Sequence, residues 1–191
     1  DEQSLPPHLN LVAKWQPLSI AAEQYRMAAT RLVLSTEGRG STVVEVTSAL
    51  KGEGKTTTVV NLGYTLARDL GRNVVLIDCD FRCPALHSYV TIPASSGLVE
   101  FLDDELPLKN CLSAIDEVSC SILPVGNVGK ELNELTRIQQ LKTRLPELRN
   151  NFDFIIVNTP PVLPSATMGI LSSLADMLIL VIRAGVTPQH L

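Results

Sequence analysis

The sequence has little of what marks a secreted, membrane-spanning or disulfide-stabilised chain. Its 191 residues include four cysteines, and no two of them have the Cys-x-x-Cys spacing of a zinc or redox motif. We therefore expect reduced thiols in a cytosolic protein. The longest apolar run, Met177 to Ile182, has the length of a strand and falls far short of the roughly 20 residues of a membrane helix.

The sequence also has no excess of positive charge. Sixteen Lys and Arg residues stand against twenty Asp and Glu, so the formal net charge is −4. A general basic surface for a nucleic-acid backbone is thereby excluded, and nucleic-acid binding is the least favoured function. Hydrophobic residues make up 45% of the chain, which is enough for a full core and excludes a disordered protein.

Short apolar runs alternate with longer helical patterns. The predicted strands are Thr42–Val46, Val74–Ile77, Cys120–Leu123, Phe154–Val157 and Met177–Ile182. The predicted helices follow Ser19 up to Gly38, follow Thr56 up to Gly71, cover Gly97–Leu102 and Leu132–Leu148, and include Leu171 and Leu174. We expect Pro146 to bend or end its helix. The alternation predicts an α/β fold, a mostly parallel central sheet with helices on both faces.

The chain is predicted to hold one domain after a short arm. Residues 1–17 contain three prolines and no periodicity, which favours an extended arm or linker. Residues 18–191 are then the folded domain, a length that suits a single core. Because the chain starts at Asp1 rather than Met and stops soon after the fifth strand, we expect a piece of a longer protein that lacks a final helix and strand.

A glycine-rich loop follows the first predicted strand. Ala49 to Thr56 matches G-x-x-x-x-G-K-[ST] except that Ala49 replaces the first glycine. Such a loop turns its N–H groups inward, the next helix points its positive end at the same spot, and the lysine reaches the phosphates. The alternative, an ordinary turn before a helix, is disfavoured by the flanking strand and helix. The predicted nucleotide-binding residues are Lys51, Gly52, Glu53, Gly54, Lys55, Thr56 and Thr57.

Two carboxylates follow the second predicted strand. Asp78 and Asp80 would repel a phosphate unless a cation lay between them, so they predict a Mg²⁺ site that also uses the Thr56 hydroxyl. Either aspartate could accept a proton from an attacking hydroxyl. Arg82 could offset charge on the transferred phosphoryl group or contact a partner. The alternative is a solvated Asp-x-Asp turn.

The fourth predicted strand ends in Asn158. Phosphate-loop enzymes usually carry Asp at this Walker B position, where it orients a magnesium-bound water. An amide keeps the shape of the carboxylate, loses its charge and donates hydrogen bonds. We therefore expect the fold to persist while metal affinity or turnover falls.

Taken together, these motifs resemble the bacterial tyrosine kinase (BY-kinase) family, the cytoplasmic ATPase domains of capsular and exopolysaccharide chain-length regulators. The resemblance runs from about Pro17 to the C-terminus, in a fold like that of deviant-Walker partition ATPases. Its segments are Thr47–Thr56, Leu76–Arg82 with Pro84, Leu123–Gly126, Asn133–Leu135, Thr159–Leu163 and Val181–Gly185.

The resemblance implies an ATP- and Mg²⁺-dependent protein-tyrosine autokinase that regulates exopolysaccharide polymerisation and export. It implies Lys55, Asp78 and Asp80 as catalytic residues, and Thr56, Asp78 and Asp80 as metal ligands. It also implies a membrane-embedded polysaccharide co-polymerase as activator, in the same or a separate chain, a homo-oligomeric ring and a tyrosine-containing protein substrate. The domain would then lie in the cytoplasm at the inner face of the membrane.

Several positions depart from the family pattern. Asn158 replaces the Walker B Asp, and Thr167 stands where an Asp usually follows the proline pair. The oligomerisation motif E-x-x-R-x-x-R reads Glu23, Arg26 and then Ala29, so Glu23 and Arg26 are either oligomer contacts or a plain surface ion pair. A tyrosine-rich tail is absent from this sequence.

The departures leave alternatives to an active kinase. Asn158, Thr167 and the missing tail favour a nucleotide-dependent switch or scaffold of the same export system. A partitioning-type ATPase is a third hypothesis, but those proteins carry a lysine five residues before the loop lysine, and that position is Leu50 here.

Overall fold

The computed structural model describes residues 10–89, 96–115, 117–129, 133–163 and 168–188. The helices are α1 (Val12–Trp15), α2 (Ile20–Ser35), α3 (Lys55–Leu70), α4 (Leu98–Leu102), α5 (Leu108–Cys111), α6 (Glu134–Asn151) and α7 (Met168–Ser172), with a 3₁₀ helix at Leu86–Tyr89. The strands are β1 (Thr42–Ser48), β2 (Val74–Asp78), β3 (Ser113–Ala114), β4 (Cys120–Leu123), β5 (Phe154–Asn158) and β6 (Met177–Val181).

The strands form one sheet in the order β3-β4-β2-β5-β1-β6. All neighbouring pairs are parallel except β3 with β4, which are antiparallel. The register places Asp78 beside Asn158 across the β2–β5 pair. Because the central strands are covered on both faces, β1, β2 and β5 are buried along their whole length. The predicted α/β architecture is confirmed.

Two hydrophobic cores lie on the two faces of the sheet. One packs α1, α2 and α3 against one face, with Val44, Leu62 and Ile156 among its buried side chains. The other packs α4, α6 and α7 against the opposite face, with Phe101 and Ile155 among its members. Two buried cores on one sheet fix the strand ends in place, and the site is built at one of those ends.

Helix α2 begins and helix α3 ends where the sequence predicts. The Ser19 hydroxyl caps α2 by accepting a hydrogen bond from the Ala22 N–H at 3.1 Å. Gly71 ends α3 in the left-handed conformation, with φ of 63°. The buried side of α2 differs from expectation, because Ala22, Ala29 and Leu32 are buried whereas Ile20, Met27 and Leu34 of the predicted pattern are exposed.

Two local predictions are wrong, and a third is wrong in part. Residues 12–15, expected to be extended, form the one-turn helix α1, where Ala13 is buried and its N–H donates to the Asn61 side chain at 3.0 Å. Helix α6 continues through Pro146 to Asn151, so the proline does not end the helix, because it removes a single N–H donor while Leu148 stays fully buried. A bend at Pro146 stays a prediction. Leu174 follows α7 rather than belonging to it. Leu132 and Thr167 lie outside the described residues.

All four cysteines lie within the described residues and are free thiols. Among the described helices, none is long and apolar enough to cross a membrane.

Candidate nucleotide-binding site

The loop between β1 and α3 has the geometry of a phosphate cradle. Gly52 and Gly54 have φ of 85° and 98°, left-handed values that a side chain would strain. Gly54 is also the residue before the first turn of α3, whose N-terminus therefore opens into the loop. The Ser48 hydroxyl donates to the Leu50 carbonyl at 2.7 Å and fixes the entry of the loop. The turn predicted from the glycine spacing is thus present.

Glu53 holds the loop rather than lining its interior as a free acceptor. One carboxylate oxygen accepts the Leu50 N–H at 2.7 Å, and the other accepts the hydroxyl of Thr187. The Leu50 N–H, followed by the Thr187 hydroxyl, lowers the pKa of Glu53, so this carboxylate is charged at neutral pH. The sequence predicted Glu53 as a nucleotide-binding residue, and the structure ties it to the segment after β6.

Lys55 lies at the head of α3 beside Asp80. Its Nζ is 3.9 Å from the Asp80 Oδ2, and both side chains are more than nine-tenths buried. That separation is an ion pair but exceeds a hydrogen bond, so the ammonium group is not locked to one acceptor. Burial raises the pKa of Asp80, and Lys55 offsets part of this effect.

Asp78 has a different environment from Asp80, although only two residues separate them. Its Oδ1 accepts the Asp80 N–H at 3.2 Å and the Asn158 side-chain amide at 3.0 Å. Its Oδ2 accepts the N–H groups of Ala85 at 2.9 Å and Leu86 at 3.0 Å. A carboxylate has about four lone-pair sites, so these four donors occupy all of them. Burial raises the pKa of Asp78, and the hydrogen bonds offset part of the rise.

Asn158 is fully buried at the end of β5 and directs its amide to Asp78. Its Oδ1 is buried and has no hydrogen-bond partner among the described residues. The amide therefore completes the set of donors around Asp78 and leaves one acceptor free at the carboxyl end of the sheet. A carboxylate at this position would instead face the Asp78 carboxylate at hydrogen-bond distance.

The residues present fit a magnesium–phosphate group better than a metal held by protein alone. Within the described ranges there is no cluster of three or more His, Cys, Asp or Glu side chains for a metal. Mg²⁺ in phosphate-loop sites needs few protein ligands, because waters and phosphates supply the rest. The Thr56 hydroxyl, the Asp80 carboxylate and the unpartnered Asn158 oxygen are the groups this site offers to a hydrated cation.

The remaining predicted residues lie at the rim or outside the loop. Lys51 is exposed, with its Nζ 3.4 Å from the Cys83 sulfur. Arg82 is largely exposed and pairs with Glu134 at 2.5 Å, so in this chain it is held by α6. Arg26 binds Glu23 and also Asp69, at 3.0 Å, within the same chain. This is the surface ion pair that the spacing allowed, and an oligomer contact through Glu23 and Arg26 stays a prediction.

Sequence reasoning missed one contact with the loop helix. The Tyr89 hydroxyl is 2.9 Å from the Thr57 hydroxyl, which joins the 3₁₀ helix to the first turn of α3. The two residues are 32 positions apart, and the intervening loop carries no periodic pattern that would have brought them together. Thr57 is thereby oriented by an aromatic side chain from outside the motif.

Comparison with known proteins agrees with this geometry. A family profile described as an AAA domain matches residues 41–187. The tyrosine-protein kinase YwqD of Bacillus subtilis is 33% identical over 181 residues, which are 95% of this chain and 76% of that protein. The succinoglycan biosynthesis transport protein ExoP of Rhizobium meliloti is 30% identical over 178 residues, and this chain spans 22% of its length.

A solved structure extends the agreement to the fold. The kinase domain of VpsO superposes with a TM-score of 0.77 at 31% sequence identity, covering 90% of this chain and 85% of that domain. The kinase relatives favour this family over the partitioning ATPases. The chain belongs to the bacterial tyrosine kinase family.

Proposed function

We propose that this domain binds MgATP and transfers the γ-phosphate to the hydroxyl of a protein tyrosine, as part of exopolysaccharide or capsule export. The observation that carries the proposal is the Lys55–Asp80 pair, two buried opposite charges 3.9 Å apart at the mouth of the glycine loop. A lysine so placed can move from Asp80 to a phosphate without crossing solvent. The names of the chain's relatives support the proposal, because they include a tyrosine-protein kinase and a succinoglycan biosynthesis transport protein.

The nucleotide would be held by backbone amides and by charge. The N–H groups of residues 51–57 surround the phosphates, and the positive end of α3 adds to their attraction. Bound Mg²⁺ would neutralise charge on the β- and γ-phosphates, with the Thr56 hydroxyl as a ligand. Lys55 stabilises negative charge that develops on the transferred group.

Of the two aspartates, Asp80 is the better candidate to contact the reacting groups. Among the described residues, the partners of its carboxylate are the Lys55 ammonium and one backbone N–H, from Cys83 at 3.2 Å. It can therefore accept the tyrosine proton, or a hydrogen bond from a magnesium-bound water. Asp78 would need to break an existing hydrogen bond to bind a metal, and its role is to hold the 80–86 loop in position.

The wider assembly follows from the family. We propose that a membrane-embedded polysaccharide co-polymerase, in the same or another chain, activates the domain at the inner face of the membrane. Self-association into a ring would use the α2 surface around Glu23 and Arg26, where the third position of the family motif is the buried Ala29.

The test is phosphate transfer from radiolabelled ATP to a tyrosine-containing peptide or to a co-purified partner tail. The Lys55→Met variant should reduce phosphotyrosine to background, whereas Lys109→Met, at an exposed lysine on α5, should not change it. Thermal unfolding of both variants checks that they fold. Equal phosphotyrosine in the wild type and Lys55→Met would contradict the proposal.

A second function is favoured by one specific contact. The Asn158 amide is bound to Asp78, so the Walker B position supplies no negative charge in this protein. A nucleotide-dependent switch or scaffold with slow turnover would use the same loop without needing that charge. Isothermal titration separates the two functions, because the switch predicts tight MgATP and MgADP binding together with turnover no faster than the Lys55→Met control.

A further inference from the structure

A second cavity opens at the end of the sheet opposite the glycine loop. It has a volume of about 380 Å³, within the range of small-molecule sites. The loops that enter β1, β2 and β5 enclose it, together with the C-terminal end of α2 and the last turn of α6. The amino ends of parallel strands therefore meet here, as their carboxyl ends meet at the nucleotide site.

Three buried polar atoms of this cavity have no hydrogen-bond partner in the described residues. They are the hydroxyl oxygens of Ser41 and Thr42 and the Nε of Arg72. Thr42 is 1% exposed, so its hydroxyl is cut off from bulk water. Buried polar groups in native proteins are nearly always paired, so three unpaired atoms in one wall indicate that this wall takes a polar partner that the described residues do not supply.

The charged groups around the cavity favour an anion as that partner. Arg39 and Arg72 line it without an ion pair to any carboxylate in the described ranges, and Arg149 lines it while bound to Asp176 at 2.8 Å. Two carboxylates also line it. Asp153 is engaged by the Asn73 N–H at 2.8 Å, and Glu37 is exposed. Two guanidinium groups without a carboxylate partner in the described ranges form a donor set suited to phosphate oxygens.

The size of the cavity argues for more than a bare ion. Inorganic phosphate would fill a small part of 380 Å³ and would not reach all of the polar lining, which includes Asn150. Amide side chains both donate and accept, as hydroxyl groups of an organic body require. The lining therefore suits a phosphate group attached to a polar organic body.

This cavity is separate from the glycine loop. Strand β1 starts at Thr42, in the cavity, and ends at Ser48, where the loop begins. Six residue steps along a strand cover roughly 20 Å. No residue lining the cavity belongs to the loop or to the Lys55–Asp80 pair.

We propose that this cavity is a second ligand site that binds a small organic phosphate, of the size of a sugar phosphate or a nucleoside monophosphate. The guanidinium groups of Arg72 and Arg39 bind the phosphate oxygens. The proposal concerns binding only and does not depend on kinase activity.

The experiment is isothermal titration of the whole chain with glucose 1-phosphate, uridine monophosphate, inorganic phosphate and unphosphorylated glucose. We expect at least one ester to bind, glucose not to bind, and inorganic phosphate to bind more weakly than the best ester. Arg72→Gln should weaken ester binding about tenfold or more, the effect of losing one charge-assisted hydrogen bond, and Arg31→Gln on the exposed side of α2 should not. Absence of binding by both esters, or equal weakening by both variants, would overturn the proposal.

A second variant guards against misfolding. Arg39 lines the cavity and is exposed, so Arg39→Gln should leave the melting temperature of the free protein unchanged while ester binding weakens. Amide NMR shifts locate the ligand and should fall on residues 36–42, 72–73 and 149–154. Shifts confined to residues 49–57 would place the ester in the glycine loop and refute a second site.

Discussion

Asp78 and Asp80 stand two residues apart at the end of β2, and the chain uses them differently. Asp78 is on the floor of the site, fully buried, with four donors on its two oxygens. Asp80, which we call the rim of the site although it is also buried, lies near the buried Lys55 ammonium and one backbone N–H. Identical side chains thus differ because one is saturated by its own chain and the other keeps lone pairs for a ligand. We therefore expect Asp78 to affect mainly the stability of the fold and Asp80 mainly the chemistry of the site.

The largest expected effect is the loss of turnover when Asp80, at the rim, is replaced. Asp80→Asn keeps an oxygen for the Cys83 N–H but leaves the buried Lys55 ammonium without its counter-charge, so we expect turnover to fall about a hundredfold or more and the melting temperature to fall as well. Radiolabel transfer and thermal unfolding measured on the same preparation check both parts. A variant that lost stability and kept its turnover would reverse the assignment of the two aspartates.

A change at Asp78, on the floor of the site, should lower stability far more than it lowers turnover. Asp78→Asn places an NH₂ group where the carboxylate accepts two N–H groups, and whichever way the amide turns, two buried donors lose their acceptor. Each unsatisfied group costs about 1–3 kcal/mol, so the melting temperature should fall by about 10 °C. Urea unfolding measures the loss. The matched control is Asp104→Asn, at an exposed turn, which weakens a surface ion pair with Arg144 and should cost at most about 1 kcal/mol.

The contacts of Asp78 also show which part of the site the sequence could predict. The glycine loop, its flanking strand and helix and the positions of Asp78 and Asp80 follow from short motifs and from the period of apolar residues. The donors to Asp78 from Ala85 and Leu86 do not, because the loop that carries them has no periodicity. The bond between Glu53 and Thr187 joins residues 134 positions apart, and only the completed fold brings them together.

The same reasoning holds for the fold. Long buried strands such as β2 and β5 are visible as apolar runs, whereas β3 has two residues and α1 one turn, too few to form a pattern. Pro146 is a local signal that tertiary packing overrides, since the burial of Leu148 holds α6 together beyond it.

Replacing Asn158 by aspartate tests the comparison of Asp78 with Asp80, because it places a second negative charge beside Asp78. Asn158→Asp puts a second carboxylate about 3.0 Å from the Asp78 Oδ1, in a position without solvent. The pair would share a proton, so its pKa is raised and stability falls as pH rises through the neutral range. Without metal we expect a loss of about 1–3 kcal/mol at pH 7.5 that shrinks at pH 5.

Magnesium distinguishes the outcomes for this variant. If the added charge restores a cation site, MgADP should recover the melting temperature more in Asn158→Asp than in the wild type. Asn133→Asp is the control, because this exposed residue caps α6 and a carboxylate is an equally good cap. A variant as stable as the wild type at pH 7.5 without metal would show that Asn158 does not share a buried pocket with Asp78.

The smallest effect concerns a third buried carboxyl, in the middle of β1 and away from the chemistry. Glu45 is 1% exposed, and neither of its oxygens has a hydrogen-bond partner in the described residues, in a cavity lined by Val43, Ile77 and Leu171. Burial raises the pKa of Glu45 above its ordinary value of 4.5, and the nearby Ser172 and Thr159 side chains offset part of the rise.

The sign of the pH effect follows from that raised pKa. The folded chain keeps the proton on Glu45 at pH values where the unfolded chain has lost it, so stability decreases as pH rises above about 4.5. Glu45→Met, apolar and of similar length, removes this slope and should add about 1 kcal/mol at pH 7.5, with almost no gain at pH 4.5. Unfolding midpoints across that range measure the difference, with Glu105→Met at an exposed position as control. A gain equal at both pH values would come from packing alone and would show that Glu45 does not fold in its protonated form.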